Sequence, residues 1–325
     1  MSGADDRREP RTNGGYSYRE HIGPDEEGRT VWEHLSSSRP HSSRETWEKR
    51  IELGEVRLDG RLAGKTDRLV RGQVLVWDRP PWIEPLAPLD FALLHEDPDL
   101  LAVAKPSGLP TLPGGGYLEN TLLWRVRRVY PEASPLHRLG RGTSGLVLFS
   151  RNAKASRALA RIWHDGVRKT YLALVRGRVE EKSFAIDAPI GRVPHDVLGA
   201  VHAATARGRP SRSHVRVMER FEKETLVEVD IITGRPHQIR IHMAAAGYPL
   251  VDDPLYPPGG VPSPTSRALP GDCGYLLHSA RLAFRHPRTR KALVIYCAPP
   301  PRLCPGHAPV LDPGKGMGQS STGIT

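Results

Sequence analysis

Apolar and polar positions change rhythm several times along the chain. Residues 1–29 are polar, charge-mixed and Gly-containing, with little to bury, and are expected to be disordered. The Pro-, Gly- and Ser-rich segment 305–325 reads the same way. Between them, Trp32, Leu35, Trp47 and Ile51 fall at helical apolar positions, and Ser42, with Glu45 three residues on, is expected to cap a helix. Gly54 to Gly60 alternates like a short strand closing in the turn pair Asp59-Gly60, and Gln73 to Val76 supplies a second strand. Residues 30–78 thus form a small unit of their own. The Pro-rich stretch 79–88 reads as a linker.

Residues 89–304 carry the main domain. Apolar runs at Leu100–Ala104, Leu146–Phe149 and Tyr171–Val175 predict strands. Leu226–Ile232 alternates with Glu228 and Asp230, predicting a strand with one wet face. Helical spacing appears over Asn152–His164, with Ala155, Ala158, Leu159 and Ile162 as the apolar stripe, and over His237–Ala246. Pro236 suits the first helical position and Gly247 the residue after the end. Strands and helices interleave without a βαβ rhythm, so the fold class is α+β: a mixed, mainly antiparallel sheet with flanking helices.

Charge adds a partner. The net charge is +11, and between Arg138 and Arg178 ten Lys/Arg face one acid, Asp165. On the helix from Asn152, Lys154, Arg157 and Arg161 share a face and repel one another, a cost that a polyanion offsets. An ordinary solvated face is the plain alternative. The three cysteines, Cys273, Cys297 and Cys304, form neither a disulfide framework nor a zinc pattern, which fits a reducing cytoplasm. Neither a secretory signal nor a membrane span is expected.

Two short segments concentrate the chemistry. His137-Arg138-Leu139-Gly140-Arg141-Gly142-Thr143-Ser144-Gly145 packs cations, hydroxyls and glycines directly before an apolar strand. Thr233-Gly234-Arg235-Pro236-His237-Gln238-Ile239-Arg240-Ile241-His242 places two Arg, two His and a Gln around a helix start, an arrangement suited to reading anions or base edges. His237 and His242 are five apart and have no nearby carboxylate, so no metal site is expected. Gly64-Lys65-Thr66 imitates the end of a P-loop, but the earlier Gly sits at 60, out of register.

Five blocks, in order, resemble the RluA-type pseudouridine synthases: Asp99–Leu109 with its Lys105-Pro106 turn, His137–Gly145, Lys169–Gly177, Thr233–Tyr256 and Leu277–Pro287. The resemblance spans about residues 90–300. It implies a pseudouridine-synthase-like fold with a central basic cleft, and a preceding αL-type RNA-binding-like module at residues 30–78. It implies isomerisation of uridine to pseudouridine in structured RNA (rRNA or tRNA), without cofactor or metal, on a base extruded from its stack. In such enzymes an Asp is the nucleophile, a Tyr stacks on the base and an Arg pairs with the Asp. The matching positions are Gly140, Tyr171 and Arg240, with Arg235 the second choice for the Arg. Arg138, Arg141, Thr143, Lys154, Arg157, Arg161, Arg235 and His237 are the expected RNA contacts.

Gly140 carries no carboxylate, so covalent catalysis from that position is impossible. A partly buried Arg240 would then need another anion: Asp252, Asp253, Asp187 or an RNA phosphate. Three readings remain open: a synthase with a relocated carboxylate, a catalytically inactive RNA-binding protein on the same fold, and an assembly factor working through residues 30–78.

Overall fold

The computed structural model describes residues 12–39, 42–163 and 166–306 and divides the chain into two compact units, residues 1–86 and 87–325.

In the first unit, strand β1 (Tyr16–His21) is followed by helices α1 (Val31–Ser38) and α2 (Arg44–Glu52), then β2 (Val56–Leu58), β3 (Arg61–Leu62) and β4 (Val74–Arg79). The strands form an antiparallel sheet in the order β1-β4-β2-β3. Val31, Leu35, Trp47 and Ile51 from the helices bury against Val56, Leu58, Leu75 and Trp77. Asp59 and Gly60 both have positive φ, 50° and 84°, as the tight hairpin between β2 and β3 requires. The α2 cap is Ser43 and not Ser42: Ser43 accepts from the Thr46 backbone N–H, while Ser42 Oγ accepts from Arg50. A full capping box sits instead at Thr30 and Glu33, opening α1.

Two boundaries shift. Of the segment 1–29, residues 1–11 lie outside the described residues, but Tyr16–His21 is a paired strand. Tyr18 stacks on Trp77 at 5.0 Å, which gives this polar stretch something to bury against. The Pro-rich stretch 79–88 is not a free linker either. Ile83 bridges to Thr12, and Glu84 accepts from Asn13, so the first unit extends through Leu86. Of the segment 305–325, residues 307–325 lie outside the described residues.

Among the described residues the second unit is a ten-stranded, mainly antiparallel sheet with three α-helices and a short 3-10 turn at Pro301–Leu303. Its strands are β5 (Ala92–Glu96), β6 (Leu100–Lys105), β7 (Ser134–Pro135), β8 (Ser144–Ser150), β9 (Arg168–Arg176), β10 (Ser183–Ile186), β13 (Ser213–Arg220), β14 (Glu224–Ile231), β15 (Leu277–Arg285) and β16 (Ala292–Tyr296). A separate hairpin pairs β11 (Ile190–His195) with β12 (Gly199–Ala204). The order β10-β13-β14-β9-β15-β8-β6-β5 has one parallel contact, β15 with β8. The helices are α3 (Leu122–Arg127), α4 (Ala153–Ile162) and α5 (Gln238–Ala245). The observed class is α+β, as expected.

α4 starts where its N-cap Asn152 accepts from the Ala155 N–H. Its expected end at His164 lies outside the described residues. α5 starts two residues later than Pro236 at the first helical position would place it: its first residue is Gln238, its cap, His237, holds a left-handed φ of 55°, and Pro236 lies before the helix. Gly247 follows the helix end with φ 89°, as the C′ position favours.

Candidate active site and basic face

Neighbouring strands bring the two chemical segments together: Thr233–His242 follows β14, which pairs with β9. The loop 137–143 runs directly into β8, Tyr171 sits on β9, and β15 lies between those two strands. β8 can lie close to β15 because Gly145 has no side chain. A Cβ there would come within 2.3 Å of the Ser279 carbonyl oxygen and 2.6 Å of its nitrogen, at a φ of 109°.

The loop is fastened from the Lys-Pro turn. Lys105 Nζ is buried and donates to the carbonyls of Pro106, Leu109 and Arg141, at 2.9, 2.6 and 3.2 Å. Ser107 Oγ donates to Gly142 O at 2.8 Å and Gly108 N to Arg141 O at 2.8 Å. Thr111 Oγ1 both donates to and accepts from the Leu139 backbone. Burial pulls the Lys105 ammonium down to about 7, and the three carbonyls favour its charged form.

His137 is a structural member of this loop. Its Nε2 accepts the Leu148 backbone N–H at 3.0 Å and its ring stacks on Trp163. Burial, with Lys169 nearby, pushes it down to about 3, so it stays neutral.

Behind the loop lies a cavity of about 100 Å³ lined by Arg138, Leu139, Gly140, Thr143, Tyr171, Ile231, Arg235, His237, Gln238, Ile239, Arg240, Tyr275 and Leu277. Gly140, Tyr171 and Arg240 therefore share one space with four of the expected RNA contacts, Arg138, Thr143, Arg235 and His237. Tyr171 is buried and pushed up to about 12 by that burial, so its ring enters the cavity as a neutral phenol.

Arg240 is the most constrained cation here. Nε and Nη2 each donate to Asp253, to Oδ2 and Oδ1, at 2.7 Å, with both side chains at most 2 % exposed. Nη1 donates to Pro270 O, and the guanidinium lies 4.1 Å from the Tyr275 ring centroid and 4.9 Å from that of Tyr256. Burial works against its charge, and the Asp253 pair and the neighbouring phenols outweigh it, holding the pKa above the ordinary value. Of the three candidate carboxylates, Asp253 is the one beside Arg240. Asp252 pairs with Arg176 and Asp187 with Arg212. Asp253 Oδ1 also accepts from the Leu255 and Tyr256 N–H groups, and Asp253 does not line the cavity.

His237 is fixed by its partners. Tyr256 Oη donates to His202 O at 3.0 Å, so His237 Nδ1 donates to Tyr256 Oη at 2.7 Å and Nε2 is left as an acceptor. Burial, with Arg240 nearby, lowers it to about 4, so it is neutral. Gln238 is structural: Oε1 accepts from the Thr233 hydroxyl and the Arg235 N–H, and Nε2 donates to Arg212 O and Ser213 Oγ.

The expected RNA contacts divide into free and engaged groups. Arg138 is exposed at the cavity, and Lys154, Arg157 and Arg161 are exposed on α4, with no ion pair to a described residue. Arg141 is engaged: it donates to Gly271 O and Tyr117 Oη and faces Asp272 at 3.6 Å. Arg235 makes long bonds, 3.4 Å, to Pro210 O. Thr143 is buried, its hydroxyl 3.2 Å from Tyr275 Oη.

Tyr275 is the site residue that sequence reasoning missed. It lies just ahead of the recognisable block from Leu277, and its only trace in sequence is the pair of loop glycines. A Cβ at Gly142 would sit 2.9 Å from two Tyr275 ring carbons, and one at Gly140 would sit 3.1 Å from its hydroxyl. Asp97, Asp99 and His286 also gather elsewhere, with metal-ligand chemistry. There, His286 Nδ1 accepts the Arg288 and Thr289 N–H groups, so its Nε2 carries the proton and donates to Asp97.

The comparisons with known proteins agree with one another. Residues 99–245 match the family model for RNA pseudouridylate synthase. The chain is 44% identical, over 81% of its length and 91% of the relative's, to an uncharacterized RNA pseudouridine synthase of Synechocystis sp.. It is 36% identical, over 83% of its length and 86% of the relative's, to a ribosomal large subunit pseudouridine synthase D of Xanthomonas campestris pv. campestris. Among solved structures, human RNA pseudouridylate synthase domain containing 1 superposes with a TM-score of 0.52 at 24% identity. That match covers 68% of this chain and 89% of that one, and is a likeness of fold. The chain belongs to the RNA pseudouridine synthase family, in its RluA type, a family of isomerases.

Proposed function

We propose that the chain isomerises uridine to pseudouridine in structured RNA, ribosomal or transfer, in the cytoplasm and without metal or cofactor. The observation that carries this reading is the shared cavity: the loop at Gly140, the Tyr171 ring and the Arg240 guanidinium all line one space. A uridine flipped out of its stack enters that space and stacks on Tyr171. Arg138 holds the flanking backbone at the mouth. Lys154, Arg157 and Arg161 take phosphates along α4, where nothing described neutralises them. Arg235 and His237 meet the base or its neighbours from the α5 side. Arg141 and Thr143 act from within the protein, through Tyr117 and Tyr275, and not as direct backbone contacts.

Gly140 stands where the family resemblance puts the catalytic Asp, and that absence favours a second reading, an inactive RNA-binding protein on the same fold. The Arg240–Asp253 pair does not supply a relocated nucleophile. Both oxygens of Asp253 hold the guanidinium, one also holds two backbone N–H groups, and the residue faces away from the cavity lining. The deciding experiment maps pseudouridine across total RNA of the source organism with the gene deleted and restored. A site that disappears and returns supports the isomerase. An unchanged map, with the purified protein still binding RNA, supports the inactive reading.

A further inference from the structure

We propose that the Tyr275 hydroxyl is the proton-transfer group of this cavity, acting at the place the missing carboxylate leaves open. The proposal rests on the isomerase reading above.

No Asp or Glu is among the cavity-lining residues, which leaves Tyr171, His237 and Tyr275 as the groups there that can exchange a proton. Tyr275 alone stands against position 140. Its hydroxyl would lie 3.1 Å from a Cβ at Gly140, within the reach of the carboxylate that an Asp would carry there. The loop is shaped around this phenol twice, since a side chain at Gly142 would collide with the ring itself at 2.9 Å. Thr143 Oγ1 orients the hydroxyl at 3.2 Å. Arg240, 4.1 Å from the ring centroid, gives a developing phenolate a fixed cation beside it. Burial raises the Tyr275 pKa above the ordinary value while Arg240 and Thr143 pull the other way, so at neutral pH the group begins as an acid.

The steps balance without a further reactant. As the N1–C1′ bond breaks, its electron pair leaves on uracil and the phenol proton passes to N1. The phenolate then faces the cationic ribose carbon. After the base turns, the C5–C6 π pair forms the C5–C1′ bond, and the proton displaced from C5 returns to the phenolate. One C–N bond is exchanged for one C–C bond, and Tyr275 ends as it began.

The test uses the full chain and an RNA transcript carrying the uridine found by the mapping experiment. Tyr275→Phe keeps the ring between the glycines and Arg240 and removes only the hydroxyl. The expected result is a single-turnover rate lower by roughly 10²–10⁴-fold, with RNA affinity and Tm close to wild type. Adding Gly140→Asp to Tyr275→Phe then recovers turnover, because the cavity has room for a carboxylate once the hydroxyl is gone. Tyr275→Phe turning over within about tenfold of wild type overturns the proposal. A slow Tyr275→Phe with a lowered Tm that Gly140→Asp does not relieve also overturns it, since the hydroxyl would then be structural. If no uridine changes in the mapping, the isomerase reading fails and takes this proposal with it. A wild-type enzyme that is active beside an equally active Tyr275→Phe removes the proposal alone.

Discussion

Residues 1–86 carry 15 Lys and Arg against 16 Asp and Glu, whereas residues 87–325 carry 32 against 20. The use of those cations differs as much as their number. In the first unit Arg50 lies against Trp47 and Trp77 and Arg79 against Trp82, while Arg39, Arg57, Arg61 and Lys65 each face a carboxylate. In the second unit Arg138, Lys154, Arg157 and Arg161 face no described carboxylate. Both units hold paired cations and cations without a described carboxylate, but on α4 three of the latter, Lys154, Arg157 and Arg161, share one helix face in the unit that also holds the cavity, which is what a polyanion can use. The αL-like reading of residues 30–78 as an RNA-binding module gains nothing from charge.

The sharpest way to break this comparison is inside the second unit, at the deeply buried Arg240–Asp253 ion pair. Asp253→Ala leaves Arg240 without its carboxylate and should cost about 3–5 kcal/mol, read as a large fall in Tm. A fall near zero would mean that a phosphate or another group takes over, and that Arg240 is as available as the α4 cations.

Next comes the charge itself. Neutralising Lys154, Arg157 and Arg161 together should weaken RNA binding and lower the slope of log affinity against log salt by about 2–3, one phosphate per cation. Neutralising Arg57, Arg61 and Lys65 together in the first unit should leave that slope unchanged. Equal losses from the two triplets would return the first unit to an RNA-binding role.

A smaller effect shows that the basic unit also refuses charge in its interior. His137 is pushed down to about 3 when folded, against an ordinary value near 6.5. The unfolded chain therefore binds its proton first. Stability is intact above pH ~6.5 and is lost as pH falls toward 3, by about 2 kcal/mol at pH 5. His137→Gln should flatten that acid slope. The check is hydrogen exchange at the Leu148 amide, whose acceptor is the His137 ring.

The sequence made the second unit far more legible than the first. β6, β8, β9 and β14 declare themselves through runs of Val, Leu and Ile, because a strand buried in a sheet needs them along its length. β1 does not, because Tyr16–His21 is an edge strand with side chains that stay largely exposed, Tyr18 stacking on Trp77 and Glu20 partly covered, and polar composition disguised it. At the site, Arg240 and Tyr171 were legible from local motifs. Tyr275 was not, because its place is set by what Gly140 and Gly142 lack, and an empty volume leaves no mark on a residue string. Asp253 could be named as a candidate from its chemistry but not chosen over Asp252, since only the turn at 252–256 decides which carboxylate points inward.

The smallest expected effect separates the two units most cleanly. Thr30 and Glu33 close a reciprocal capping box at the start of α1, and Asn152 caps α4 with a single bond. Replacing Thr30 by Ala leaves the Glu33 amide without its acceptor, while the residue-30 amide keeps the Glu33 carboxylate, and should cost about 1 kcal/mol. α1 packs into the core of the first unit through Val31 and Leu35. The loss should therefore appear as faster hydrogen exchange across residues 16–79, with amides of β8, β9 and β15 unchanged. Asn152→Ala should do the reverse, loosening α4 and the α4 cations with it. RNA affinity should follow Asn152→Ala and ignore Thr30→Ala. If Thr30→Ala weakened RNA binding as much, order in the near-neutral unit would matter to recognition, and paired arginines there such as Arg57 and Arg61 would have to exchange their carboxylates for phosphate.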